Sequence, residues 1–193
     1  MNNTIDCRGL KCPKPVIKTK NYFDKLAEGE AVVIVDNEVA KINIVKLAES
    51  NGLKSEVTQV EELFHIRVIK NQCPHSSIKL ENEKLTIVVS SDKLGTGDDK
   101  LGIVLMKSYI FALSESDIIP QNMLFLNGGV KLTVQGSEVL ESLNKLKNRG
   151  VSIASCGTCL DFYDVKNKLL IGEVSNMYTI IEKMNSADKT IKL

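Results

Sequence analysis

The chain has 193 residues, of which 43% are hydrophobic and 5% aromatic, the composition of a globular protein of one or two domains rather than a fibre or a disordered tail. Lysine plus arginine (25) and aspartate plus glutamate (24) nearly cancel, so no overall field draws the chain to nucleic acid or to an anionic membrane. The longest apolar run near the start, "AVVIV" at 31–35, is far short of the roughly 20 residues a membrane span needs, which predicts a cytoplasmic protein.

In chain order, "NTI" reads as a strand. A helix from about Pro15 to Ala27 places Val16, Phe23, Leu26 and Ala27 on one face, and Gly29 ends it. "AVVIVD" is a buried strand. Asn37 caps a second helix carrying Val39, Ile42 and Val45, which stops at Asn51-Gly52. "KSEVTQV" and "LFHIRVIK" are strands, the latter alternating Phe64, Ile66 and Val68 with His65 and Arg67, the pattern of a sheet with one wet face. His65 is expected at that surface. Residues 71–83 hold no sustained period and read as a linker, with Cys73-Pro74-His75 incidental to it and a domain boundary near residue 77.

The pattern restarts with the strand "LTIVVS", a loop containing Gly95 and Gly97, and a helix "LGIVLMKSYIFAL" so apolar that it is expected to be covered on most sides. "NMLFLN" is the next strand. After "GGVKLTVQG", Ser137 is placed to cap a helix with Leu140, Leu143 and Leu146 inside, Glu138 and Glu141 near its start, and Lys145, Lys147 and Arg149 near its end before Gly150. "VSIAS" runs into Cys156-Gly-Thr-Cys159, a helix "NMYTIIEKM" follows, and "TIKL" forms a last strand. Alternating strands and helices imply a mainly parallel, doubly wound α/β sheet with a crevice at the strand C-terminal ends.

Five cysteines, an odd number in a chain large enough to fold without staples, argue against a disulfide framework and for reactive or metal-binding thiols. In "DCRGLKCPKP", Pro13 and Pro15 pin a helix start beside Cys12, since a missing N–H costs little only in a first turn. The helix dipole alone contributes about 0.3–1 kcal/mol, less than one pKa unit. Arg8, Lys11 and Lys14 nearby add to it, so an exposed, partly ionised Cys12 thiolate is expected. Cys7, at the end of the first strand, reads as a buried packing residue.

That motif resembles the signature of the TusA/SirA-like sulfur-carrier family, whose members show Cys-Pro-x-Pro at the start of the first helix of a small β-α-β-α-β-β sandwich. The likeness covers residues 4 to about 70. It implies that Cys12 carries a terminal persulfide; nothing is implied for Cys7. The second half resembles the DsrE/DsrF-like family, in which a cysteine after the corresponding strand handles sulfur in oligomers. The fusion of the two, including "LNGGVKLTVQGSEVLESLNKLKNRGVSIASCGTCLDFY", looks like the YedF group of sulfurtransferase-like proteins linked to selenium metabolism. The expected organisation is thus a sulfur-carrier domain at 1–70, a linker at 71–83 and a DsrE/DsrF-like domain at 84–193.

Cys156 and Cys159 at C-x-x-C spacing suit mutual pKa lowering, disulfide exchange or half a zinc site, or else are two inert thiols in a tight turn. A structural zinc site needs four ligands and the second half has no histidine, so exposed, redox-active thiols are expected there, without metal. Asp92, Gly95 and Gly97, with Asn127, Gly128 and Gly129, fall in loops at the crevice, where backbone N–H groups can hold a small anion, though plain turns are favoured. The expectation is a sulfur or selenium relay on Cys12 without an organic cofactor, serving a cysteine desulfurase-type donor and a thiol acceptor protein. Homo-oligomerisation through the second domain is expected, with no nucleic acid and no membrane partner. The alternative is a cysteine-based metal-binding or regulatory module.

Overall fold

The computed structural model describes residues 3–71 and 84–193. The chain divides into two compact units, Met1–Ile78 and Lys79–Leu193. Apart from Asn71, the expected linker, with Cys73, Pro74 and His75, lies outside the described residues.

In the first unit, β1 (Asn3–Asp6), α1 (Lys14–Asp24), β2 (Gly29–Val35), α2 (Glu38–Ser50), β3 (Lys54–Val60) and β4 (Leu63–Lys70) follow one another. The sheet order is β1-β2-β4-β3, with β1 parallel to β2 and the other pairs antiparallel. The period-2 pleat puts Ala31, Val33 and Val35 on one face, in register with Val68, Ile66 and Phe64, and this face packs on Phe23 of α1 and Ile44 of α2. The result is the two-layer β-α-β-α-β-β sandwich expected from the sequence.

The helix faces differ from the expectation. Helix α1 ends at Asp24 and Ala27 is exposed, although Leu26 still packs on the core from beyond the helix end. The Asn37 side chain does cap α2, accepting the Ala40 N–H, but the buried stripe is Ala40, Ile44 and Ala48. Val39 and Ile42 stand 62% and 42% exposed. A spacing of four returns nearly to the same side of a helix, and two alanines let α2 approach the sheet closely where larger side chains would hold it off.

In the second unit, β5 (Leu85–Val89), α3 (Asp99–Ser114), β6 (Asn122–Phe125), a 3-10 helix (Asn127–Thr133), α4 (Leu140–Asn148), β7 (Ser152–Cys156), α5 (Gly157–Phe162), a second 3-10 turn (Lys166–Lys168), β8 (Glu173–Ser175), α6 (Met177–Asn185) and β9 (Lys189–Lys192) are arranged around a parallel sheet of order β8-β7-β6-β5-β9. Ile87, Val89, Met123, Phe125 and Ile153 meet Met106 and Ile110 of α3 and Leu143 and Leu146 of α4. The alternate residues Val88, Leu124, Ala154 and Cys156 face Ile180 of α6. The sheet is therefore covered on both sides, the doubly wound arrangement predicted.

Three local expectations are corrected. Helix α3 buries only Gly102, Met106, Ile110 and Ser114, leaving Leu101, Ile103, Val104 and Leu105 between 42% and 59% exposed; one sheet face accepts one stripe. Ser137 does not cap α4, which starts at Leu140 after a turn in which Ser137 Oγ accepts the Val139 N–H at 3.4 Å. Strand β8 has only three residues and no apolar alternation, and sequence periodicity missed it. No helix among the described residues is long and apolar enough to cross a membrane.

Candidate functional site

The first candidate site grows out of the turn after β1. Cys7 continues the strand line, its N–H donating to Ile34 O at 2.8 Å, and its side chain is 1% exposed in the core, where burial pushes the thiol pKa up. It is a packing residue, as expected. Gly9 then turns the chain at φ +70, and its N–H donates to Asp36 Oδ2 at 2.6 Å. That bond, followed by one from the Asn37 side chain, holds the Asp36 carboxyl below the usual carboxylate range. The end of β2 thereby anchors the loop that leads to the cysteine motif.

Cys12 is exposed. Pro13 occupies the cap position, Lys14 is the first helical residue and Pro15 sits in the first turn, so the prolines start α1 where the sequence places it. Cys12 lines an open cavity of about 380 Å3 whose walls include Leu10, Pro15, Val16, Val39 and Ala40, with Lys11, Asp36 and Asn43 at its polar parts. The Asn43 amide nitrogen stands 4.0 Å from Cys12 Sγ. Val39 and Asn43, one turn apart on α2, were missed by sequence reasoning because their proximity to Cys12 is a tertiary fact. Arg8 corrects the expected cation cluster. Its guanidinium donates to Asp6 at 2.9 and 2.7 Å, taking that carboxyl down to about 2, so its charge is committed to Asp6. Lys11 lines the cavity; Lys14 stands outside its lining.

The second candidate site lies at the C-terminal end of β7. Cys156 is the last strand residue and only 2% exposed; Cys159 is half-buried on α5. The expectation of an exposed pair of thiols is thus corrected: one is buried and the other half-buried. Cys156 ends a central strand whose alternate residues are covered by α6. Burial pushes the Cys159 thiol up, and a hydrogen bond with Cys156 adds to the rise, while the N–H of Asn127 opposes it. That N–H points at Cys159 Sγ from 3.1 Å.

Of the crevice loops, Asn127 and Asp92 join this neighbourhood. Asn127 holds φ +45, and its Oδ1 accepts the Tyr163 hydroxyl at 2.8 Å. Lys131 Nζ lies 4.5 Å from the centre of the Tyr163 ring and 4.0 Å from Asp92 Oδ2. A Cβ on Gly129 would stand 2.1 Å from Val89 O, so only glycine lets this loop press on the end of β5; at Gly128 the nearest atoms of Asp92 would be 3.7 Å away. Two backbone donors of the loop are engaged within the protein, as in the plain turns favoured from the sequence: the Asn127 N–H serves a sulfur and the Gly129 N–H donates to Leu126 O. Gly95 and Gly97 have open space around them. Tyr163 and Lys131 went unnoticed in the sequence because their partners are remote along the chain. His65 sits in β4 opposite Ile34 and Thr58, on the sheet side facing away from the helices. No group of three or more His, Cys, Asp or Glu side chains converges among the described residues.

Comparison with known proteins agrees with this division. Residues 3–70 match the family Sulfurtransferase TusA, and residues 83–193 match the DsrE/DsrF-like family. A Methanocaldococcus jannaschii protein named "Putative sulfur carrier protein" is 45% identical over 67 residues, which cover 34% of this chain and 89% of that one. The crystal structure of a SirA-like protein from Desulfitobacterium hafniense is similar at 34% identity and a TM-score of 0.34, over 35% of this chain and 96% of that one. That of the YchN protein from E. coli is similar at 19% identity and a TM-score of 0.45, over 57% and 99% of the respective chains. The chain therefore belongs to the DsrE/DsrF-like family through its second unit and to the TusA sulfurtransferase family through its first.

Proposed function

We propose that the protein is a cytoplasmic sulfur relay that carries the mobile atom as a persulfide on Cys12 and passes it to an acceptor thiol, either on a partner protein or at the Cys156–Cys159 pair. The observation that carries this reading is the exposed Cys12 at an open cavity of about 380 Å3 within a TusA-family domain. A protein thiol acting on another protein needs access above all, and an open mouth admits a donor loop. The Cys12 thiolate attacks the outer sulfur of a donor persulfide, the donor S–S bond breaks, and the donor leaves as its thiolate. No external oxidant enters. A cysteine desulfurase-type enzyme supplies such a donor, and the same exchange serves selenium as a perselenide.

The second unit supplies paired thiols. Attack of the Cys156 thiolate on a persulfidated Cys159 forms their disulfide and releases the outer sulfur as hydrosulfide, and a thiol reductant restores the dithiol. Self-association is part of the proposal: the exposed apolar residues of α3, Leu101, Ile103, Val104 and Leu105, are a surface that a second copy would cover. The decisive experiment is intact-mass spectrometry after incubation with a cysteine desulfurase and cysteine, with selenocysteine in a parallel arm. A gain of one sulfur or selenium atom that disappears in Cys12→Ser supports the relay. No gain, together with stoichiometric zinc in the same preparation, would replace it with the metal-binding reading.

A further inference from the structure

The cavity beside Cys12 is largely apolar, with Leu10, Val16, Val39 and Ala40 in its walls, so an anion formed there is short of the solvation it has in water. Apart from Lys11, three polar side chains line it: Asp36, Asn37 and Asn43. Two of them are engaged in building the loop. Asp36 accepts the Gly9 N–H at 2.6 Å and the Asn37 amide at 2.9 Å, and Asn37 Oδ1 accepts the Ala40 N–H at 2.8 Å. Asn43 is left over. Its amide nitrogen stands 4.0 Å from Cys12 Sγ, and among the described residues that sulfur is the one hydrogen-bonding partner of its side chain.

The helix that carries Asn43 fixes the amide in place. Asn43 precedes Ile44, which is 0% exposed, and falls between Ala40 and Ala48 of the stripe that α2 presses on the sheet, so α2 cannot turn to carry the amide away. A nitrogen 4.0 Å from a thiol sulfur is too far to hold it firmly. A persulfide changes that distance. Its outer sulfur lies about 2 Å beyond Sγ and, tilted roughly 60° off the line to the nitrogen, comes within about 3.4 Å of the amide, a bonding distance for so large an acceptor. A persulfide anion also accepts a hydrogen bond far more strongly than a neutral thiol, and the cavity has room for the added atom.

We propose that Asn43 is a contact residue for the carried atom: its amide bonds the outer sulfur of persulfidated Cys12 and barely touches the bare thiol, so it favours the loaded carrier over the empty one. The inference rests on the relay reading and deepens it. The equilibrium it biases is Cys12–SH + R–S–SH ⇌ Cys12–S–SH + R–SH. The Cys12 thiolate attacks the outer sulfur, the donor S–S bond breaks as the new one forms, and R–S⁻ departs and takes up a proton. No oxidant or reductant takes part. The charged groups facing the cavity are Lys11 on the loop and Asp36 at the end of β2, the latter bonded to Gly9 and Asn37.

The test uses the full chain with glutathione persulfide as the donor. Wild type, Asn43→Leu, Asn43→Asp and Asn43→Gln are equilibrated with a fixed ratio of glutathione persulfide to glutathione and trapped with iodoacetamide. Mass spectrometry of the Cys12 peptide then gives the ratio of loaded to empty carrier, and alkylation of empty Cys12 is timed in parallel. Asn43→Leu is expected to lower the loaded-to-empty ratio about 2- to 10-fold, the factor one net hydrogen bond supplies, with alkylation of the empty thiol unchanged. Asn43→Asp keeps the shape but puts a carboxylate where the donor was, and is expected to lower the ratio further; Asn43→Gln restores a donor and is expected to recover part of it. A merely structural role would move both readouts together. A ratio unmoved in Asn43→Leu and Asn43→Asp, or an alkylation rate that shifts by the same factor as the ratio, therefore overturns the proposal. Wild-type Cys12 that takes no sulfur even from this small donor is a different result, and it sinks the relay reading on which the proposal stands.

Discussion

The two thiol sites solve one problem in opposite ways. Cys12 stands in the open at a proline-fixed helix start, beside a cavity, with its loop tied down from a distance by Asp36 on Gly9. Cys159 is half-covered and held by a ring of hydrogen bonds, with a second, inaccessible thiol behind it. The first arrangement favours encounter with many partners; the second favours retention of one atom in one geometry. An exposed thiol is easy to load and easy to lose, whereas a covered thiol exchanges slowly but controls what leaves.

The largest expected difference is in loading. Cys12→Ser is expected to remove all desulfurase-dependent sulfur from the first unit, read by intact mass, with thermal stability nearly unchanged because an exposed side chain contributes little packing. Cys7→Ser, five residues earlier, is expected to do the reverse, costing about 1–3 kcal/mol of stability by burying a hydroxyl in an apolar core, with loading of Cys12 retained. Chemical denaturation measures that loss. If both substitutions affect loading equally, the contrast between the two cysteines collapses.

Gly129→Ala sharpens the second half of the comparison. The added Cβ meets Val89 O at 2.1 Å, so overpacking of at least about 1–3 kcal/mol is expected, with slower Cys159 alkylation as the Asn127 N–H moves off the sulfur and the thiolate loses its donor. Denaturation and labelling of the same sample check the two parts together. Smaller still is the difference in accessibility at rest: in native protein Cys12 is expected to alkylate well ahead of Cys156, which becomes available only on unfolding, and equal rates would deny that α6 covers Cys156.

The smallest effect is the pH dependence that Asp36 and Asp6 give the first unit. The folded-state pKa of Asp36 is depressed by the Gly9 N–H, and that of Asp6 is taken to about 2 by Arg8. A depressed carboxylate stabilises the fold fully above its unfolded value of about 3.9, and this contribution fades as pH falls through the folded value. Both groups are at the surface, so the effect is modest. Asp36→Asn is expected to flatten the acid limb of a stability curve measured between pH 5 and pH 2, using about these limits from the carboxylate range.

Much of the architecture was legible because its signals are local. "VIKTKNYFD" after two prolines, the β2 and β4 alternations and the Asn37 cap each encode their structure within a few residues. The faces of α2 and α3 were not legible, since apolar residues surround both helices and only the sheet decides which stripe it accepts. At the first site Cys12 was found from its motif, whereas Asp36 and Asn43 reach it by folding alone. At the second, the spacing of Cys156 and Cys159 identified the pair but not its burial. Cys156 belongs to the central strand "SIASC" as its last buried member, and strand ends cannot be fixed to one residue from periodicity. Tyr163 sits four residues from Cys159, yet its meaning depends on Asn127 across the crevice.

The place of β9 in its sheet has a consequence for biosynthesis. Every strand pairing of the first unit is complete once Lys70 has emerged, because β1, β3 and β4 find their neighbours within that stretch. In the second unit β5 pairs on one side with β6 but on the other with β9, so that Leu85 waits for Lys189. Contacts of such high order fold late and slowly, since the loop closed between them is long. A ribosome therefore releases a finished first unit while the sheet of the second unit still has a raw edge, Leu85 to Val88, exposed to strand-hungry neighbours. Ribosome-bound chains stopped before residue 189 are expected to present a protease-resistant first unit and a protease-sensitive second one.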